Sequence, residues 1–173
     1  MPAATKSFRV DDLLVQIYNS EAEMAQDVAE IAHEYLQHLL EQQNTVAVLL
    51  ATGNSQLKFL DGLIALGGID WSNIILFHLD EYLGINADHP ASFRYYLRER
   101  LEKQVLPQRF NYIAGDALEP IVECDSYNKL LQAQPIDLCL LGVGENGHLA
   151  FNDPAVANFQ DTAKIKLVKL DQI

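Results

Sequence analysis

VAVLLATGNS, residues 46–55, decides the fold: an unbroken apolar run ends in Thr52, Gly53, Asn54 and Ser55, and QLKFLDGLIAL after it has helical character. A strand without polar alternation is buried on both faces, as in a parallel sheet. Two runs of the same kind follow, IILFHL (74–79) and DLCLLG (137–142). Helical stretches are expected over about 55–66, 91–104 and 118–133, so strand and helix alternate. That order predicts an α/β fold, doubly wound, with a mainly parallel sheet and helices on both faces. Ligands collect at the carboxyl ends of such strands. The residues after each run are therefore the candidates for function.

Upstream, LLVQIY (13–18) reads as a first strand, and Ser20-Glu21-Ala22-Glu23 as a capping box that opens a long helix. Met24, Val28, Ile31, Tyr35 and Leu39 keep helical spacing and are expected to pack into the core. No repeat, low-complexity tract or linker divides the 173 residues, of which 49% are hydrophobic and 21% charged. A single domain over 1–173 with a substantial core is expected.

The net charge of −12, with no basic cluster to offset it, disfavours nucleic acid and anionic membrane as partners. No apolar run approaches the roughly 18 residues that span a bilayer, and MPAATKSFRV lacks the apolar core of a signal peptide. A cytoplasmic protein is expected. Cys139, inside DLCLLG, reads as a small buried thiol, and neither a disulfide with Cys124 nor a metal is expected. Self-association into a homo-oligomer stays open. An anionic substrate would have to be met locally, by backbone N–H groups, a helix N-terminus or a few placed cations.

Thr52-Gly53-Asn54-Ser55 fits that need: glycine and small polar residues at a helix start leave N–H groups free for a phosphate. An ordinary N-cap by Asn54 or Ser55 explains the same residues. The loop lacks G-x-x-x-x-G-K-S/T, so nucleoside triphosphates are not implied. After IILFHL stand Asp80 and Glu81, then Tyr82-Leu83-Gly84. Successive strand residues face opposite ways, so one carboxylate of the pair enters a site. Partial burial would raise its pKa and suit it to act as a base, although from these residues alone a solvated acidic turn is the preferred reading. His89-Pro90 and Ser92 look like the entry to the next helix.

The third run leads into GVGENGH, which contains G-x-G-x-x-G. A dinucleotide fingerprint would lie in the first βαβ unit and open a long helix, whereas HLAFNDPAVANF follows here, with Pro154 inside it. Gly144 and Gly147 are better suited to bringing backbone close to a small ligand. His148, with Asn146 and Asp153 near it in sequence, forms a histidine–carboxylate set competent in acid/base chemistry.

These segments together resemble the glucosamine-6-phosphate deaminase (isomerase) family, part of a wider group with the 6-phosphogluconolactonases. The resemblance rests on ATGNS, on LDEYLG with HPASFRYYL beginning nine residues after Asp80, and on GVGENGHLAFNDP, in family order over nearly the whole chain. It implies a Rossmann-like sheet, no cofactor, and conversion of an aminosugar 6-phosphate to fructose 6-phosphate and ammonia. By motif, Asp80 takes the proton from C2 of the open-chain sugar, and His148 opens the pyranose by acting on the ring oxygen and anomeric hydroxyl. Asn146 and Asp153 assist that opening and orient His148. Thr52, Gly53 and Ser55, with Asn54 between them, receive the phosphate. Apart from the family motif, Glu81 is left as a structural residue or one that backs these groups, and Tyr82, Gly144 and Gly147 are expected to stand behind them.

Two departures accompany the match. Asp153 stands where many deaminases carry glutamate, one methylene longer. The family pattern also runs on past Ile173 with a strand and helix bearing an arginine and a lysine of the phosphate site, so C-terminal truncation relative to that pattern is expected. The lactonase pattern resembles DER and GHTASLFP, against DEY and GHLAFNDP here. A lactonase, a sugar-phosphate sensor without catalysis and a nicotinamide-dependent oxidoreductase remain the competing readings.

Overall fold

A computed structural model describes residues 4–170. The described chain begins with β1 (Lys6–Val10) and β2 (Leu13–Ile17), an antiparallel hairpin closed by Asp11-Asp12 with Asp11 at φ 51°. LLVQI is thus a strand, as expected, and it lies outside the parallel sheet. KSFRV immediately upstream is its partner, and a two-residue turn favours that local pairing.

α1 (Glu21–Gln42) starts at the expected cap: Ser20 accepts the Glu23 N–H at 3.2 Å, and Glu23 reaches back to Asn19 N at 3.3 Å. Its inward face corrects the sequence reading. Met24, Val28, Ile31 and Tyr35 are exposed, at 39%, 37%, 50% and 43%, and of the expected stripe Leu39 alone packs against the core. Ala25, Ala29, Ala32 and Leu36 are buried instead, one residue further round the helix. The reason is close packing. A Cβ added at Gly62 of the next helix, α2 (Asn54–Leu66), would lie 3.3 Å from Ala29 Cβ, so the helices meet over small side chains and exclude bulky ones.

The sheet contains β3 (Val46–Leu50), β4 (Ile74–His78), β5 (Arg109–Asn111) and β6 (Leu138–Leu140), all parallel, in the order β5-β4-β3-β6. Between them lie α2 (Asn54–Leu66), α3 (Phe93–Leu97), which continues through a π-helical turn (Arg98–Glu102) into α4 (Lys103–Val105), and α5 (Pro120–Ala133). Pro120 suits the start of α5, where its missing N–H would have had no intrahelical partner.

Side chains alternate across the sheet. Val46, Val48, Leu50, Ile74 and Leu76 meet α1, α2 and the α3–α4 stretch through Leu36, Phe59, Leu63, Leu97 and Leu101. Ala47, Ile75 and Phe77 meet Tyr127 of α5 on the other face. Helices therefore cover both faces, as the alternation of runs predicted. Burial of a side chain such as Leu36, which is 0% exposed, contributes roughly 1.5–3 kcal/mol.

β6 is not the fully buried strand its sequence suggested. It lies at the edge of the sheet, Leu138 and Leu140 are half-buried, and Cys139 is exposed rather than buried. An edge position leaves one flank of the strand uncovered. Among the described residues no helix is long and apolar enough to cross a membrane.

Candidate active site

β3 lies between β4 and β6, so the three loops singled out by sequence leave neighbouring strand ends. Leu79 N donates to Leu50 O and Ala51 N to Leu140 O, both at 3.0 Å, which carries the pairing past the strands into the loops. α2 is capped by Gly53, at φ 109°, without any side-chain cap bond. Neither Asn54 nor Ser55 is the cap, so the first N–H groups of α2 have no side-chain acceptor. Thr52 is half-buried, whereas Gly53, Asn54 and Ser55 are exposed. The Tyr96 hydroxyl donates to Gly53 O at 3.0 Å and fastens the turn, a contact across 43 residues of sequence that no local pattern signals. Gly142 holds the next loop close: a Cβ there would be 3.3 Å from Ser55 Oγ.

The end of β4 is locked from below. His78 is 1% exposed, its Nε2 accepts the Ile113 N–H at 2.8 Å, and its backbone N–H donates to the Tyr127 hydroxyl at 3.0 Å. Burial, ahead of the nearby charges, pushes its pKa down to about 4, so the ring is neutral at physiological pH. Two residues on, Asp80 is half-buried, and its carboxyl is pushed up to about 6. Burial is the main cause, the Glu81 charge adds to it, and His148 opposes it. The shift places the carboxyl in the range useful to a general base near neutral pH.

Glu81 turns the other way. Its side chain is 0% exposed; Oε1 accepts Tyr82 N at 2.9 Å and Phe93 N at 3.1 Å, and Oε2 accepts Ser92 Oγ at 2.7 Å and Arg94 N at 3.0 Å. Four donors leave it no free acceptor for a proton or a substrate. The acidic pair therefore divides as strand alternation required. Ser92 is the N-cap of α3, as its position after His89-Pro90 suggested.

Asn146, His148 and Asp153 are brought together. His148 Nδ1 lies 2.7 Å from Asn146 Oδ1 and 3.1 Å from Asp153 Oδ1, and Asn146 Nδ2 donates to Asp153 Oδ1 at 3.0 Å. Two oxygen acceptors at Nδ1 assign its proton there, which leaves Nε2 for chemistry. The aspartate in place of glutamate thus still reaches the ring. Gly144 is required by that ring: a Cβ at 144 would sit inside the imidazole, 2.6 Å from Nδ1 and closer still to Cε1 and Nε2. Gly147, at φ 85°, makes the turn that returns the chain to His148.

A cavity of about 470 Å³ opens beside these loops, lined by Asp80, Tyr82, Phe151, Tyr127, Leu131 and Lys166 among others. Neither His148 nor Thr52–Ser55 lines it, so the cavity and the three-loop site share the β4 end without coinciding. Tyr82, Phe93 and Phe151 pack at tilted angles between the loops after β4 and β6, with ring centroids 5.0–5.8 Å apart. Among the described residues no cluster of three or more His, Cys, Asp or Glu side chains could hold a metal.

The α/β sheet carries a desolvated carboxylate after β4 and an oriented imidazole after β6, on either side of the β3 end, two groups suited to acid/base chemistry. The profile of a family described as glucosamine-6-phosphate isomerases/6-phosphogluconolactonase matches residues 19–167, and the chain belongs to that family. It is 38% identical over 135 residues to a glucosamine-6-phosphate deaminase of Shewanella woodyi, covering 75% of this chain and 51% of that protein. A glucosamine-6-phosphate deaminase of Clostridium acetobutylicum is 40% identical over 129 residues, 71% of this chain and 52% of the relative. The chain thus spans about half the length of the curated relatives it matches. Among solved structures, a monomeric glucosamine-6-phosphate deaminase superposes with a TM-score of 0.76 at 28% identity, over 83% of this chain and 60% of that one. A 6-phosphogluconolactonase of Thermotoga maritima gives 0.66 at 26% identity, over 73% and 58%.

Proposed function

We propose that this chain acts in the conversion of an aminosugar 6-phosphate, glucosamine 6-phosphate first among them, to fructose 6-phosphate and ammonia. The observation that carries the reading is the pairing of Asp80, half-buried with its carboxyl pushed up to about 6, with His148, whose Nδ1 is held by Asn146 and Asp153. The named relatives support the reaction at the level of the family.

The chemistry follows from which atoms are free. His148 Nε2 moves a proton between the anomeric hydroxyl and the ring oxygen, which opens the pyranose. Asp80 then removes the C2 proton while O1 takes up a proton, forming an enolamine-type intermediate, and returns a proton to C1 as nitrogen gives one up, forming the C2 imine. Water adds at C2 and the amino group leaves as ammonia, giving the ketose. A base with a pKa near the working pH both accepts and returns such a proton readily. The uncapped N–H groups at the start of α2 receive the 6-phosphate. Glu81, with all its acceptor positions filled, offers the substrate no free acceptor.

Incubation with glucosamine 6-phosphate and, separately, with 6-phosphogluconolactone tests the reading. Release of ammonia that disappears in Asp80→Asn, while the sugar phosphate still binds, is the expected result. Faster consumption of the lactone would establish hydrolysis, which the 6-phosphogluconolactonase likeness favours, as the activity. Absence of both turnover and binding of glucosamine 6-phosphate would remove the proposal.

A further inference from the structure

We propose that Glu81 is the positioning residue of this site: gripped by Ser92, Phe93 and Arg94, it fixes the chain next to Asp80 and so aims the aspartate carboxyl into the strand-end site. The inference rests on the reading of Asp80 as the base, and its test is separable from that reading.

The grip has three layers. The first is the set of four donors on the Glu81 carboxylate, two on each oxygen, at 2.7–3.1 Å. An amide could not replace it, because an NH₂ group would face two donors on one side. The second is Arg94, whose Nε is 3.5 Å from Glu81 Oε2 while its guanidinium donates to Ile85 O at 2.7 Å and to Asp116 Oδ1 at 2.9 Å. One side chain thus ties Glu81 to the far side of the 80–94 loop and to the segment after β5. The third is steric. A Cβ at Gly115 would collide with Tyr82 O and lie 2.8 Å from Glu81 Cγ, so that segment presses directly on the loop. Gly84 N donates to Gly115 O at 2.6 Å across the same contact.

Asp80 is the residue immediately before this anchor, with β4 and its locked His78 on the other side. Held at both ends, its backbone has little freedom, and its side chain is left to face the site. A buried carboxylate with every acceptor filled contributes position and a fixed charge. Besides Glu81, the ionisable groups around Asp80 are His148 from the loop after β6, His78 of β4, Arg94 of α3 with its partner Asp116, and, lining the adjoining cavity, Tyr82, Cys124 and Tyr127 of α5, Lys164 and Lys166.

The experiment follows the Asp80 carboxyl by ¹³C NMR titration in the free protein, assigned by its loss in Asp80→Asn, and compares Glu81→Gln with the parent. The expected result is a fall in the Asp80 midpoint of roughly half a pH unit or more, as the fixed charge is lost and the carboxyl gains water. Turnover of glucosamine 6-phosphate, where present, falls roughly 10²-fold with KM changed less than about threefold, the loss expected when a base is displaced by about 1 Å. Glu81→Asp, which keeps the charge, recovers more of the midpoint than of the turnover. A folded Glu81→Gln protein with lower stability but an unmoved Asp80 titration overturns the proposal, because a merely structural carboxylate behaves that way. Should Glu81→Gln not fold, Ser92→Ala, which removes one donor, decides by the same readout: a smaller fall supports the proposal and an unchanged midpoint ends it. Absence of any sugar-phosphate chemistry beside a shifted midpoint would sink the proposed function and leave the positioning role standing.

Discussion

Asp80→Asn is expected to resist urea better than the parent at pH 7.5, by a margin that shrinks at pH 4. In the folded protein the carboxyl titrates at about 6 instead of 3.8, so between those values the folded state holds a proton that the unfolded chain has released. Stability therefore falls as pH rises through that window and stays reduced above it. About 2 pH units at 1.36 kcal/mol each give nearly 3 kcal/mol, and the water that still reaches this half-buried group lowers the figure to about 2 kcal/mol. Asparagine does not titrate and escapes the penalty. The measurement is urea unfolding of both proteins at the two pH values, with the difference between them read at each. His78 works in the opposite sense, but it is present in both proteins and cancels. An equal margin at pH 4 and pH 7.5, or a parent more stable than the variant at pH 7.5, would refute the account of Asp80 as a base held in its charged form at a cost to the fold.

His78 carries the complementary expectation. Its pKa, pushed down to about 4 from 6.5, means that stability is lost as pH falls through that interval, and His78→Gln should flatten the acid limb of the unfolding curve in circular dichroism. Gly144→Ala should displace the His148 ring and reduce turnover of the closed sugar by at least about tenfold, with the open-chain form less affected. His148→Gln should show the same preference, and equal losses on both forms would count against ring opening. On α1, Leu36→Ala should cost about 2–5 kcal/mol, whereas Ile31→Ala, half exposed, should stay within about 0.5 kcal/mol by chemical denaturation.

The contrast between Leu36 and Ile31 shows where sequence pattern misleads. A periodic stripe of large apolar residues ordinarily marks the inward face of a helix, but α1 approaches α2 so closely that alanines take the inward positions. Alanine gives little hydrophobic signal, so the larger residues one position away dominated the pattern. The three long runs were legible because each is continuous and ends in chemistry-bearing residues. β5 was not: Arg-Phe-Asn is short and polar at both ends, and its pairing with β4 depends on tertiary context. Within the site, Asn146, His148 and Asp153 were close in sequence and proved close in space. Glu81 was harder, because three of its four donors come from residues 11–13 positions later and meet it only after the chain has turned through Gly84.

Asp80 and His148 hang from unequal supports. β4 is buried along its whole length and paired on both sides, while β6 contributes three residues at the sheet edge and, among the described residues, is paired to β3 alone. Local opening starts where backbone hydrogen bonds are few and exposed, so amide hydrogen exchange should be fast in β6 and slow in β4. The two halves of the site would then separate on different clocks. A fluctuation that frays β6 carries the imidazole away while the carboxylate stays in register, and whatever covers that edge governs how long the pair remains assembled.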